Sequence, residues 1–168
     1  MFLVTATALA QTSTPPDTGT LHDQLNAQRV ARGLRPVEGH AGLDTLAGAL
    51  LADLIDARRL APEIGRTTSQ AELAQLAANA IGLPEGYDYR HVGLVVTYGV
   101  GIERTLNDAF EVQANEPVLY DNIMDLAGIA SVEIPAGAPW YAPPVGGVGR
   151  EVELTGYTLV VILLAGDF

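Results

Sequence analysis

The 168-residue chain contains no lysine; all nine of its basic residues are arginine. Schiff-base lysine chemistry is therefore excluded, as is the lysine of a phosphate-binding loop. Cysteine is absent too, which rules out disulfides, thiolate nucleophiles and zinc or iron held by sulfur. Positive charge is scarce overall. Twenty Asp and Glu leave a formal net charge of −11 and a pI near 4.4. A polyanion is repelled by such a surface, so nucleic acid is not an expected partner. No apolar run approaches the roughly 18 residues that a membrane-spanning helix needs; "YTLVVILLA" has the length of a strand.

What is present is a globular composition, 48% apolar and 17% charged, in a length that suits one domain with a real core. The first 19 residues stand apart. Ala8-Leu9-Ala10 before Gln11 resembles a small-x-small signal-peptidase site, followed by a Ser/Thr/Pro stretch. Residues 1–19 therefore read as the remnant of a signal peptide with a flexible terminus, and residues 20–168 as the folded domain, placed outside the cytoplasm.

Within that domain Thr20 is expected to cap a first helix, with Asp23 completing the capping box and Gly33 ending it. Leu43, Leu46, Ala47, Leu50, Leu51, Leu54 and Ile55 recur at spacings of three and four, the strongest helical signal in the chain, and Pro62 is expected to stop it. Ser69 and Glu72 box the start of a third helix, which Gly82 and Pro84 terminate. "RHVGLVVTYG" and "IASVEIP" read as strands. Between them Thr105 and Asp108 are expected to open a helix running to about Ala114. "PAGAPWYAPPVGGVG" is expected to be loop, because its prolines cannot join a central ladder. "GYTLVVILLAGDF" is apolar at successive positions and is expected to be a central strand covered on both faces. Helices on both faces of a small antiparallel sheet satisfy this order.

Asn26, Arg29, Gly33, Leu34, Pro36, Val37, Leu43 and Ala47 fit the pattern N-x-x-R-x-x-x-G-L-x-P-L followed by a helix starting L-x-x-x-A. In this the chain resembles the first block of the CAP superfamily, the cysteine-rich secretory, antigen 5 and pathogenesis-related 1 proteins. Bacterial members carry W-x-x-S-P-x-H-R-x-N-I-L, and in "NEPVLYDNIM" Pro117, Asn122 and Ile123 fall in register. The resemblance covers about residue 20 to the end, and is specific in the first block and weak in the middle. It implies an α+β fold, a three-layer α-β-α sandwich with a small, mainly antiparallel central sheet. It also implies a secreted protein with a central cleft, where many members hold a divalent metal on two His and two acidic residues.

Those four positions do not carry over. Leu119 stands at the ligand His, Tyr120 at the following Arg, Glu116 at the Ser and Gln113 at the Trp. Leu94 aligns with the first Glu, the second Glu maps near Gly128, and no His follows the second helix. His22, His40 and His91 lie far apart in sequence and read as surface or helix-end residues rather than ligands. His91, an odd number of strand residues from Leu94, faces away from it. No metal or cofactor is expected. Ser13, Ser69 and Ser131 lack a nucleophile elbow.

The expected function is a non-catalytic binding or envelope-associated module for an apolar, lipid or peptide ligand. Leu94, Glu116, Leu119, Tyr120 and Asn122 are its candidate cleft lining, made more apolar by the exchange of ligands for leucines. Trp140 and Tyr141 are candidate loop contacts, since rigid aromatics anchor peptides and glycans; the alternative is that Trp140 folds back over the sheet edge. Two rival functions remain: a carboxylate hydrolase using Glu116, Asp121 and Asp125, and a purely structural domain.

Overall fold

The structure, a computed structural model, describes residues 18–58, 70–84, 91–134, 140–145 and 148–166, with backbone alone at residues 70, 141–145 and 148–152. The expected signal-peptide remnant, Pro62 and Ser69 lie outside the described residues.

Apolar spacing of three and four makes α2 (Ala41–Ala57) amphipathic, and Leu43, Ala47, Leu50, Leu51 and Leu54 form its buried stripe. His40 caps it, its Nδ1 accepting from the Gly42 amide at 3.2 Å. The helix ends at Arg58, whose backbone is left-handed. The preceding α1 (Thr18–Ala31) is already helical at Thr18, three residues before the Leu21 start that a Thr20 cap implies, which puts Thr20 inside the first turn rather than at the cap. Its end is as expected: Gly33 has φ +74°, and the Leu34 amide returns to the Arg29 carbonyl at 3.0 Å. The same closure ends α3 (Gln70–Ile81), where Gly82 has φ +81° and the Leu83 amide bonds Ala78 at 3.0 Å.

For α4 (Ile102–Glu111) the expected cap is corrected. The N-cap is Gly101, and Thr105 sits one turn inside with its hydroxyl donating to the Gly101 carbonyl at 2.6 Å. A Thr-x-x-Asp spacing is equally compatible with this i−4 back-bond, which a helical threonine makes without a cap. The helix also stops at Glu111, short of Ala114. A 3₁₀ turn at Gln113–Asn115 follows, and then the single turn α5 (Glu116–Leu119).

The main sheet has the order β1 (Glu38–Gly39), β3 (Leu126–Glu133), β6 (Thr158–Gly166), β2 (His91–Gly99), with only the short β1–β3 pair parallel. β6 lies in the middle and every one of its residues is buried, as its sequence implies. Its side chains alternate between two cores. Leu159, Val161, Leu163 and Ala165 join α2 and α3; Val160, Ile162 and Leu164 join α1, α4 and α5. The fold is thus a three-layer α-β-α sandwich around a mainly antiparallel sheet.

The proline-rich segment is corrected from loop to hairpin. β4 (Trp140–Val145) pairs with β5 (Val148–Val152) as a separate two-stranded sheet, and the register breaks between Ala142 and Val145. Pro143 and Pro144 occupy that irregularity. A two-stranded ribbon accepts prolines there because the missing amides leave no central ladder unpaired.

Candidate functional site

The "NEPVLYDNIM" stretch lies across the end of the sheet where β2 begins and β6 ends. Two glycines admit it. A Cβ at Gly93 in β2 would overlap the Val118 side chain, and one at Gly166 in β6 would overlap the Ile123 backbone. Contact this close seats the stretch directly on the sheet at these two points. Leu119, at the position of the resembled ligand His, is 0% exposed and packs with Leu21, Leu25, Leu106 and Phe110.

Arg29 fastens the stretch from the other side. It too is 0% exposed. Its Nε donates to the Arg35 carbonyl at 2.9 Å, and its terminal nitrogens donate to the carbonyls of Leu119 at 2.8 Å and Asp121 at 3.1 Å. Burial pushes the guanidinium below its ordinary pKa; the Asp121 carboxylate opposes this and Arg35 reinforces it. The fork of donors suits three fixed carbonyls in a way an ammonium would not. Asn26 clamps the following turn, donating to the Val37 carbonyl at 2.9 Å and accepting from its amide at 2.8 Å. Asn26, Arg29 and Val37 are residues of the first resembled block, and their role here is to hold the scaffold.

Around this anchor is a second polar group. The Tyr120 ring stands edge-on to Phe110, centroids 5.6 Å apart, and its hydroxyl donates to the Phe110 carbonyl at 3.3 Å. Arg32 donates to that hydroxyl at 3.2 Å and lies 4.6 Å over the Phe110 ring. It also reaches Asn107 at 3.1 Å and Glu111 at 2.9 Å. Asn122 is exposed, and its carbonyl accepts from the Arg35 side chain at 2.5 Å. Glu116 is exposed.

The candidate cleft is therefore corrected in one respect. Leu94 packs with Val92 and Val96 against α2 and α3, whereas Leu119 lies in the other core. They are on opposite faces of the sheet and share no cleft. A one-residue difference in strand alignment exchanges the faces; Gly93 and Val95 are the residues of β2 that face the stretch. His91 shares that face, its Nδ1 3.9 Å from an Asp121 carboxylate oxygen, so the expected opposition of His91 and Leu94 holds. The other Asp121 oxygen accepts from the Ile123 amide at 2.9 Å, closing the turn.

Trp140 is only 5% exposed and packs into the α2–α3 core, so it folds back rather than forming a contact loop. Nothing of the Tyr141 side chain lies among the described residues. His22 is corrected as well: it is mostly buried, 2.8 Å from Asp44, whose same oxygen accepts from the Ile129 amide at 2.9 Å. Gly39 makes room for the ring, since a Cβ there would meet it at 2.9 Å. This link between α1, α2 and β3 carries no spacing signal in the sequence. Among the described residues no three His, Asp or Glu side chains are grouped to hold a metal ion, and no helix is long and apolar enough to cross a membrane.

No family profile and no curated protein matches the sequence. Solved structures do. An outer surface protein of Borrelia burgdorferi superposes with a TM-score of 0.54 at 14% identity, over 92% of this chain and 98% of its own. A cysteine-rich secretory protein of Staphylococcus aureus superposes with a TM-score of 0.51 at 15% identity, over 91% of this chain and 40% of its own. At such identities the likeness is one of fold, and the resemblance to the CAP proteins is borne out at that level.

Proposed function

We propose that the chain is a non-catalytic binding domain of the cell envelope, acting outside the cytoplasm, with a peptide as its ligand. The single observation that carries this is the filled tetrad position: Leu119 is buried and Val118 rests on Gly93, so the place of metal chemistry is given to packing. Leu94 and Leu119 lie in separate cores, which removes the lining an enclosed lipid would need and favours a ligand held on the surface. Glu116 and Asn122 are exposed and Tyr120 is half-buried, so this stretch also offers polar groups to a ligand at the surface. The compartment is supported by the signal-like first residues and by fold neighbours whose names are those of an outer surface and a secretory protein.

The test combines location and binding. Protease accessibility in intact cells is expected to find the protein beyond the cytoplasmic membrane. Thermal-shift measurements are expected to respond to an unstructured peptide panel and not to phospholipid vesicles or sterol. Turnover of peptides or esters that disappears in Glu116→Gln or Asp121→Asn overturns the non-catalytic assignment; retention in the cytosol overturns the compartment.

A further inference from the structure

β2 is an edge strand of the main sheet. All nine of its residues pair with β6 without a register shift, so the strand is regular, and from Gly93 to Gly99 its outer edge presents alternate amides and carbonyls. Sheet edges are normally guarded by a charge, a proline or a bulge, because unpaired strand backbone templates the addition of another strand. From Gly93 to Gly99 the sequence is G-L-V-V-T-Y-G, which has none of these. Among the described residues, no strand or loop backbone bonds to that outer edge.

The two flanks differ. On one side is α3, with Leu76 42% exposed, and β2 itself contributes Tyr98, 40% exposed. On the other side are α4 and α5, where Glu103, Arg104, Asp108, Glu111 and Glu116 are exposed. Arg104 is taken up by Asp108 at 3.6 Å, and Glu111 meets Arg32 at 2.9 Å. The acidic flank is thus left in excess. An added strand alternates its side chains between these flanks.

We propose that the outer edge of β2 from Gly93 to Gly99 receives an extended segment of a partner protein as a fifth strand, apolar toward α3 and basic toward α4. Main-chain hydrogen bonds supply the attachment, and alternation of apolar and basic residues supplies selectivity. A second copy of this chain is a poorer occupant, because each copy carries a net charge of −11. The proposal rests on the assignment of the chain as a peptide-binding module, and it specifies where and in what form the peptide is held.

The test uses the isotopically labelled protein and four synthetic nine-residue peptides. One alternates Arg and Val; the second has the same composition in two blocks; the other two are the alternating peptide N-methylated at every second residue, in each of the two phases. The alternating peptide is expected to slow amide exchange about tenfold or more at alternate residues between Gly93 and Gly99. One N-methyl phase is expected to abolish this and the other to leave it, since only one edge of the peptide pairs. Equal binding of alternating and block peptides, or loss in neither phase, reduces the effect to charge and overturns the proposal. Protection of the same amides in a dimer of the free protein overturns it in favour of a second copy. Binding of a different peptide that protects residues 116–122 instead overturns this site while leaving the binding-module assignment standing.

Discussion

At the scale of single residues, Arg29 is the clearest case of a motif residue whose work is structural. Replacing it with Met leaves the carbonyls of Arg35, Leu119 and Asp121 without their donor. The expected loss is about 3 kcal/mol or more, read from the denaturant midpoint, and Arg29→Lys recovers only part of it. Two glycines give a sharper contrast. At Gly93 an added methyl meets the Val118 side chain, so Gly93→Ala is expected to cost about 1–3 kcal/mol and to be relieved by Val118→Ala. At Gly128 the added methyl meets the backbone of Leu43. Gly128→Ala is expected to be as costly and to find no relief from truncating Leu43, as a double-mutant cycle would measure. Asn26, Arg29 and Leu119 were legible as matches or departures from a pattern. Their partners were not, because backbone carbonyls some 90 positions away have no signature in sequence.

At the scale of elements, the periodic helices and the doubly buried strand were legible because burial imposes its period on the side chains. Boundaries were less so. Thr20 and Thr105 satisfy a capping pattern from inside their helices, and Gly101, with φ +77°, marks the true start of α4. The expected placement of Leu94 differs from the observed one by a single residue, which in a strand is the whole difference between two faces. The hairpin is invisible to a rule for central strands, because it forms a ribbon apart from the main sheet. Its attachment is testable, since Trp140 is the one tryptophan of the chain. Its emission is expected to be blue-shifted in the native protein and poorly quenched by iodide. If the hairpin unfolds with the sandwich, the fluorescence and far-ultraviolet dichroism transitions coincide; an earlier fluorescence transition would show a ribbon that detaches alone.

At the scale of the molecule, the net charge of −11 is a standing self-repulsion that salt screens. The melting temperature is therefore expected to rise between low ionic strength and about 0.5 M sodium chloride. A fall would show that ion pairs such as Arg32–Glu111 outweigh the general repulsion. The fold itself was legible once the CAP resemblance was set beside the element order, whereas the filling of the site rests on contacts between residues distant in sequence, such as Gly93 with Val118 and Gly166 with Ile123.

The position of β6 has a consequence for the order of events in synthesis. β2 and β3 leave the ribosome before β6, yet it stands between them and is the partner both share. Until it emerges, β2 has no neighbour in the main sheet and β3 has only the two residues of β1. The sandwich cannot close progressively from its amino-terminal side. A nascent chain of this design keeps its central sheet open until β6 has emerged, and its two cores, which share that strand, form together rather than in turn.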